Sequence, residues 1–424
     1  MPPRLLFQRT AATLLQNEPP SHEFSGQWKN PSDVFSVLLI LGGDVINRAL
    51  AQLAGSGICP VAFSFADGFW DSGWVAYAIS AVSAAVGENR LMPEPDCTCK
   101  VINAKSRYER ENTSWIIGRV VRDFESWRDP AIGKALDGML ERKWIENKQR
   151  AESENPGSGP MTPKPRQGGL CVSIYQAGDA EPGHQGRDLA YWSGLAVAVL
   201  QLAIAAIPCG IWGDWAIILI TACGIILSFA MGSLPQWTKE KWSCRELKRD
   251  KTFVLVRGNG SQYAIVIRCH GRGLDLEDLA AGPLNVDVHT TTSTRVTVIA
   301  LAFLWIALLI TASGIQENTW FLLAVGGLGI LQNLFAAGQA RNPAAFGMPL
   351  IFEEVVVETK AMNTLYKVEE KYPGVGRSMV DTFFPGHLRP EEKKMWEMYE
   401  AAAAASKNTQ QPKQQPNSPR VDEH

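Results

Sequence analysis

Charged residues are absent from long parts of this sequence, and that absence is its most informative property. The chain of 424 residues has 41 lysines and arginines against 43 aspartates and glutamates, and we expect no nucleic-acid partner. The charges crowd together and leave four stretches of about twenty residues nearly free of them, which is the length of helix that crosses a bilayer core of about 30 Å. A soluble fold would instead have to bury four helices that are apolar on every face.

Motifs of the common enzyme classes are also missing. The sequence has no Gly-x-Ser-x-Gly, no His-Glu-x-x-His, no paired-carboxylate signature and no nucleotide-binding fingerprint, so we expect no enzyme activity and no cofactor. Cys97-Thr98-Cys99 lacks a second pair at zinc spacing, so we expect no metal site and reduced thiols. One exception is a disulfide that Cys59 and Cys209 could form, because both fall at predicted hairpin tips away from the cytosol.

The four strong spans come in two pairs with connectors of a few residues, which predicts two helical hairpins. They are Leu189–Ile211, Asp214–Ser233, Val296–Ile315 and Thr319–Gly338. Aromatic residues flank both ends of these spans, as in a membrane-interface belt. The belt residues are Trp212, Trp215 and Trp320 at the tips, and Tyr191, Trp192, Trp237 and Trp242 at the opposite ends.

A weaker pair precedes them and predicts a third hairpin. Val34–Gly55 is long enough to cross, whereas its partner is split into Cys59–Phe65 and Gly73–Gly87 by the heptapeptide Ala66–Ser72. Removing that heptapeptide would join the fragments into one adequate helix, which is the mark of an insertion. The alternative is a re-entrant or kinked segment, and the sequence leaves both open.

The sequence therefore predicts an α-helical membrane protein with about six transmembrane helices in three hairpins and a small cytosolic α+β module. The predicted organisation is a cytosolic segment (1–32), a first hairpin (33–87, interrupted at 66–72), cytosolic helices with a linker and a strand (88–188), a second hairpin (189–233), a cytosolic β-hairpin (234–295), a third hairpin (296–340) and a cytosolic tail (341–424). Lysine and arginine concentrate between the hairpins, which predicts that both termini lie in the cytosol. The membrane is expected to be the plasma membrane or an endomembrane.

The cytosolic stretches contain signals for a composite sheet. Asn259-Gly260 between β-branched runs predicts a hairpin, and Leu170–Ala177 and Pro349–Thr359 predict further strands. Helices are predicted over Asn112–Trp127, Ala131–Arg150, Lys360–Lys371 and Pro390–Ala405, followed by a disordered tail from Lys407. The apolar stripe of the first of these, flanked by Arg119, Arg122 and Arg128, fits either the membrane surface or a neighbouring cytosolic element.

Polar residues inside the predicted spans are the candidate functional site. Asp44 and Arg48 are four residues apart on one helix face and can pair, with Asn47 beside them. Gln332 and Asn333 lie in the last span, and Gln201 in the first strong one. An ionisable residue in a membrane helix is a functional candidate because its burial is costly, although a self-neutralising pair can serve packing alone. Amides there are typical of interhelical hydrogen bonds.

Several stretches resemble a group of multi-pass membrane proteins of filamentous fungi for which no activity is established. They include SGQWKNPSDVFSVLLILGGDVINRALAQLAG, NTSWIIGRVVRDFE, RGNGSQYAIVI and ENTWFLLAVGGLGILQN. The resemblance covers most of the chain and implies a fungal membrane protein. The second span of that group looks continuous, so the interruption at Ala66–Ser72 departs from it.

Two functions of different classes remain open. The first is a membrane scaffold, sensor or regulator whose cytosolic module binds a protein partner or a second copy of the chain. The second is a transporter or channel that uses Asp44, Arg48 and the polar residues of the last span. The first is favoured because intramembrane ionisable residues are few.

Overall fold

The fold is described from a computed structural model that covers residues 42–64, 73–154, 162–315 and 317–409. The predicted N-terminal segment (1–32), the heptapeptide Ala66–Ser72 and the part of the predicted tail beyond residue 409 lie outside the described residues.

Helices make up most of the described chain. In chain order they are α1 (Gly42–Leu53), α2 (Gly73–Ser83), α3 (Trp115–Arg122), α4 (Phe124–Trp127), α5 (Pro130–Glu154), α6 (Leu189–Trp212), α7 (Ala216–Gly232), α8 (Pro235–Lys241), α9 (Leu276–Ala281), α10 (Thr292–Ala312), α11 (Thr319–Gly338), α12 (Ala361–Lys371), α13 (Val375–Phe383) and α14 (Pro390–Thr409). The predicted helices of the polar stretches are present, with the Asn112–Trp127 stripe broken at Asp123 into α3 and α4.

The strands form one sheet, as predicted, and the structure shows that it is mixed. They are β1 (Lys100–Asn103), β2 (Glu109–Glu111), β3 (Cys171–Ala177), β4 (Asp250–Val256), β5 (Tyr263–His270) and β6 (Leu350–Val357), in the order β2-β1-β4-β5-β3-β6. All neighbours are antiparallel except β3 and β5, which run parallel. The four strands that the sequence predicts come from three separate stretches, and β1 and β2 were not predicted.

Within the part of the chain that the structure describes, four helices are long and apolar enough to cross a membrane: α6, α10, α11 and the helical stretch that begins with α7. Only 28% of the apolar window of α6 and 33% of that of α10 is buried, so these helices present apolar side chains outward. Phe303, at 68% exposed, is one of them. An exposed apolar surface of this extent needs lipid or another protein to cover it.

Each hairpin tip is shaped by a residue with positive φ. Gly213 ends α6 at φ 73°, and Asn318 precedes α11 at φ 57°. The Asn318 side-chain amide donates to Asp214 Oδ2 at 3.0 Å and so joins the two tips. We call this the tip end of the bundle, and the opposite end, where α6 and α10 begin and α7 and α11 finish, the module end.

The described residues of the first predicted hairpin include no helix long and apolar enough to cross a membrane, so the six-crossing prediction is not supported. Its turn was predicted at the tip end. Instead Ser56 N–H donates to Gly183 O at 3.0 Å, and the Gln185 amide donates to Ile58 O at 2.8 Å, so the turn lies at the module end. The chain just after α2 also lies at the module end, because Thr290 Oγ1 donates to Ala85 O at 2.8 Å.

The Cys59–Cys209 disulfide is therefore wrong. Both cysteines are free thiols, and Cys59 packs against Gly232 at the module end while Cys209 lies in the last turn of α6 at the tip end. Three of the predicted belt residues, Tyr191, Trp237 and Trp242, are buried, whereas Trp192, Trp212, Trp215 and Trp320 are exposed. Trp237 and Trp242 donate their indole N–H groups to Met231 O and Phe346 O.

The sheet and its flanking helices, which we call the module, share a core with the bundle. One face of the sheet, with Phe253 and Ile265, packs on α3 and α4 and joins the same apolar cluster as the bundle interior. The other face, with Val254 and Val266, is covered by α12, α13 and Trp396 of α14. The apolar stripe of α3 thus packs against the module core, which agrees with the prediction that it contacts a neighbouring element rather than the membrane surface. Arg119 is buried beside this stripe.

Candidate functional site

An extended segment, Cys59–Ser64, enters the bundle from the module end and lies among its helices. The slot that holds it is lined by glycines, because any side chain there would meet the segment's backbone. A Cβ atom built on Gly194 would lie 2.0 Å from Pro60 O, and one on Gly329 would lie 1.9 Å from Phe63 O. A Cβ on Gly224 would lie 2.3 Å from the Phe63 ring. Gly194 and Gly329 are thus required by the close approach of the segment's backbone, and Gly224 by that of the Phe63 ring.

Side chains of the bundle hydrogen-bond the backbone of this segment. Asn333 holds Ala62 with both ends of its amide: Ala62 N–H donates to Oδ1 at 3.2 Å, and Nδ2 donates to Ala62 O at 3.1 Å. The Gln201 amide donates to Phe63 O at 2.5 Å, and the Trp74 indole donates to Ala62 O at 3.2 Å. Unwound backbone inside an apolar bundle is costly unless it is paired in this way.

Aromatic rings fill the space beside the segment. Trp305 of α10 stacks on Trp74 with ring centroids 5.0 Å apart. The centroid of the Phe63 ring lies 6.1 Å from that of Trp305. Four cavities lined by described residues lie in the module or near its junction with the bundle, and Asp44, Gln201 and Asn333 line none of the four. Among the described residues, the segment is therefore packed closely between helices and aromatic rings.

Asn333→Leu is expected to lower the free energy of unfolding by about 1–2 kcal/mol, because it leaves the buried Ala62 N–H without a partner. Gln332→Leu is the matched control on the same helix. Among the described residues, Gln332 Nε2 has no hydrogen-bond partner, and its side-chain oxygen accepts one bond, of 3.4 Å, from Ser193 Oγ. Thermal denaturation of the purified proteins in detergent measures both. Equal losses for the two variants would mean that the Asn333 clasp does not hold the segment.

The predicted polar site is split between two places. Asn333 lies at the extended segment Cys59–Ser64, and Gln332 faces Ser193 of α6. Asp44 and Arg48 do pair, at 3.0 Å, but both are exposed and belong to α1 near the module. Asn47 lies between them in the sequence, and its side-chain oxygen is buried without a hydrogen-bond partner among the described residues. The structure therefore does not bring Asp44 or Arg48 to the interior of the bundle.

Arg48 instead belongs to an ion network where the bundle meets the module. Asp96 is its centre and accepts from Arg48 at 3.1 Å, from Arg119 at 2.5 Å and from Arg122 at 3.2 Å. Arg119 also pairs with Asp123 at 3.1 Å. The Arg119 side chain is only 1% exposed; its burial lowers its pKa, and Asp123 and Asp96 oppose that shift.

These arginines also bind the end of α11. The Arg119 guanidinium donates to Ala337 O at 2.7 Å and to Gln339 O at 3.0 Å. The last carbonyls of a helix lack partners within the helix and carry partial negative charge, so a cation stabilises them. Arg119 therefore connects the last bundle helix directly to α3 of the module.

A second pair of buried cations binds the end of α1. Lys241 Nζ donates to Ala54 O at 2.9 Å, and Arg341 donates to Gln52 O at 2.7 Å. Arg341 also pairs with Asp188, the residue that caps the start of α6, at 2.6 Å. Lys241 has no carboxylate within ion-pair distance in the described part of the chain and instead lies close to aromatic rings. These are Trp115, Trp242 and Phe346, with centroids 5.0–5.4 Å from Nζ.

The sequence carried little signal for this junction. Arg119, Lys241 and Arg341 look like ordinary basic residues beside apolar runs, which usually stay in water. The carbonyl groups that they bind at the ends of α1 and α11, and two of the rings beside Lys241, come from segments that are distant in the sequence. Burial raises the pKa of the Cys99, Cys171 and Cys269 thiols to about 12, so these three are not expected to react as thiolates.

Comparison with protein-family models, curated proteins and solved structures gives no match for this chain. The similarity to fungal membrane proteins thus stays a prediction, and function has to be argued from the geometry.

Proposed function

We propose that this chain is a multi-pass membrane protein that acts as a scaffold, sensor or regulator, with its module in the cytosol. Four crossings and a re-entrant segment would leave the module, α1 and the C-terminal helices on one side. That side carries most of the lysines and arginines, as expected of the cytosolic face of a plasma membrane or endomembrane. A cytosolic protein or a second copy of the chain is the expected partner beside the lipid bilayer.

The observation that carries this proposal is the direct connection between bundle and module. Arg119 reaches from the module core to the end of α11, and Lys241 and Arg341 reach the end of α1. Bundle and module also share one apolar cluster. A change in the packing of the bundle would therefore move groups that are buried in the module, which is what a sensor or regulator requires.

Hydrogen exchange of the full chain in lipid nanodiscs tests this coupling. The variant Asn333→Leu loosens the re-entrant segment deep in the bundle, and we expect amides of α3 and of β4 to exchange faster in it than in the parent protein. Gln332→Leu serves as the control and should leave them unchanged. Faster exchange that stays confined to the bundle would contradict the proposal.

A transporter or channel is the second candidate, and one observation favours it. Extended backbone at the centre of a helical bundle is a feature of re-entrant loops that bind or conduct ions. The polar groups that such a function would use are Gln201, Gln332 and Asn333, with Asp44 and Arg48 outside the bundle interior. Solute-selective flux into proteoliposomes that Asn333→Leu abolishes would establish this candidate over the first.

A further inference from the structure

An open cavity of about 560 Å³ lies between the β4–β5 turn and helices α3 and α4. Its walls are Arg122 and Phe124 on the helix side and Arg257, Gln262 and Tyr263 on the hairpin side. Of the residues described above at the junction and at the extended segment, Arg122 alone also lines this cavity. The cavity is therefore a separate feature of the module.

The cations at this cavity outnumber the carboxylates. Arg257 donates to Val121 O at 3.0 Å, and within the described residues it has no carboxylate at ion-pair distance. Arg122, the other lining cation, pairs with Asp123 at 2.7 Å and with Asp96 at 3.2 Å. Glu125 is the one carboxylate among the described lining residues. A guanidinium left without a carboxylate beside open space, such as that of Arg257, can bind a phosphate by paired hydrogen bonds.

The β4–β5 turn adds neutral donors and open access. Gly258 and Gly260 have φ of 120° and 84°, and a Cβ built on either would meet nothing within 4 Å, so the turn backbone is unobstructed. Gln262 lines the cavity, and its side-chain nitrogen is buried without a hydrogen-bond partner among the described residues. A buried donor without an acceptor is unfavourable, and an oxyanion in the cavity would supply the acceptor once the amide turns toward it.

The position of the cavity indicates where such an anion would come from. Arg122, on its wall, donates to Gly338 O at 3.4 Å, and Gly338 is the last residue of α11. The cavity thus lies at the level where an apolar helix ends, which is the level of the phospholipid headgroups in a bilayer.

We propose that this cavity binds the phosphorylated headgroup of an anionic phospholipid. The inference rests on the proposed function, because it needs the α11 end at a membrane surface. It names the ligand that a sensor of membrane composition would read: the phosphate lies between Arg257 and Arg122 and accepts from the Gln262 amide. Binding there would reach Arg119 through α3, since Arg122 and Arg119 share Asp96.

The test uses the full chain in detergent micelles and a short-chain phosphatidylinositol phosphate as the probe, with inorganic phosphate in a parallel titration. We expect saturable binding of the lipid, and about tenfold weaker binding in Gln262→Glu, which keeps the shape of the side chain and replaces a donor by a negative charge. Arg257→Gln should weaken binding similarly. Arg272→Gln is the control, because it makes the same change in charge beyond the far end of β5, where Arg272 is 66% exposed.

Each outcome decides the proposal. Weaker binding in both cavity variants and unchanged binding in Arg272→Gln supports it, provided that inorganic phosphate binds far less well. Equal binding of inorganic phosphate would overturn the lipid assignment, and equal binding by all variants would overturn the site. Bundle–module coupling in the exchange experiment does not depend on this ligand, so a failed titration with intact coupling leaves the proposed function standing.

Discussion

Gly329→Ala is expected to destabilise the protein by about 3 kcal/mol or more, one of the two largest effects that we predict. The new Cβ would lie 1.9 Å from Phe63 O and 2.9 Å from the Gln201 amide nitrogen that binds the same oxygen. Neither helix α11 nor the segment can give way without losing those hydrogen bonds. Thermal denaturation in detergent should show a markedly lower midpoint and reduced yield of folded protein.

Gly327→Ala is the matched control for this experiment. It lies two residues earlier on α11, and a Cβ built there would have nothing within 4 Å. Alanine favours helix over glycine, so the control should change stability by less than about 1 kcal/mol, in the stabilising direction. Similar behaviour of the two variants would show that Cys59–Ser64 does not occupy the slot in the folded protein.

Arg119→Met is expected to lower the free energy of unfolding by about 3–5 kcal/mol, because it removes one partner from a buried ion network. Asp96 and Asp123 are each only 6% exposed and would keep their charges with fewer cations. The carbonyl of Ala337 would lose its donor at the end of α11. Arg119→Lys keeps the charge but not the planar fork of donors, so we expect an intermediate loss.

Lys164→Met removes a cation from a surface pair and controls for the general effect of lost charge. Lys164 and Glu141 are 3.1 Å apart but about half exposed, at 52% and 48%, and such pairs contribute less than about 1 kcal/mol. Chemical or thermal unfolding of the three purified variants ranks them. A loss for Arg119→Met no greater than that for Lys164→Met would rule out Arg119 as a structural link between module and bundle.

The bundle and much of the module could be predicted because their signals are local. Runs such as that around Ile217 are apolar on every side, and a helix in lipid pairs its own backbone, so composition alone identifies them. Asn259-Gly260 between β-branched runs likewise specifies a hairpin by turn geometry. By contrast, β1 and β2 are short, and β2 consists of Glu109-Arg110-Glu111, which no hydrophobic alternation marks.

The first hairpin was mispredicted for a different reason. Its segments are apolar enough for a span, yet Cys59–Ser64 is extended, because Asn333 and Gln201 supply the hydrogen bonds that a helix would make internally. Glycines 130 or more residues away in the chain make room for it. Nothing near Cys59 in the sequence announces partners that remote.

By itself, the sequence determined which segments are apolar throughout and which are polar, and hence four long apolar helices and a composite sheet, because composition and hydrophobic period mark the type of each segment. Only the tertiary structure decided that Cys59–Ser64 lies unwound in a glycine slot, that Arg119 and Lys241 are buried, and that Asp44 and Arg48 lie outside the bundle interior. The physical reason is that the cost of burying a charge or a backbone group depends on the partners that meet it. Those partners come from parts of the chain that no local pattern connects.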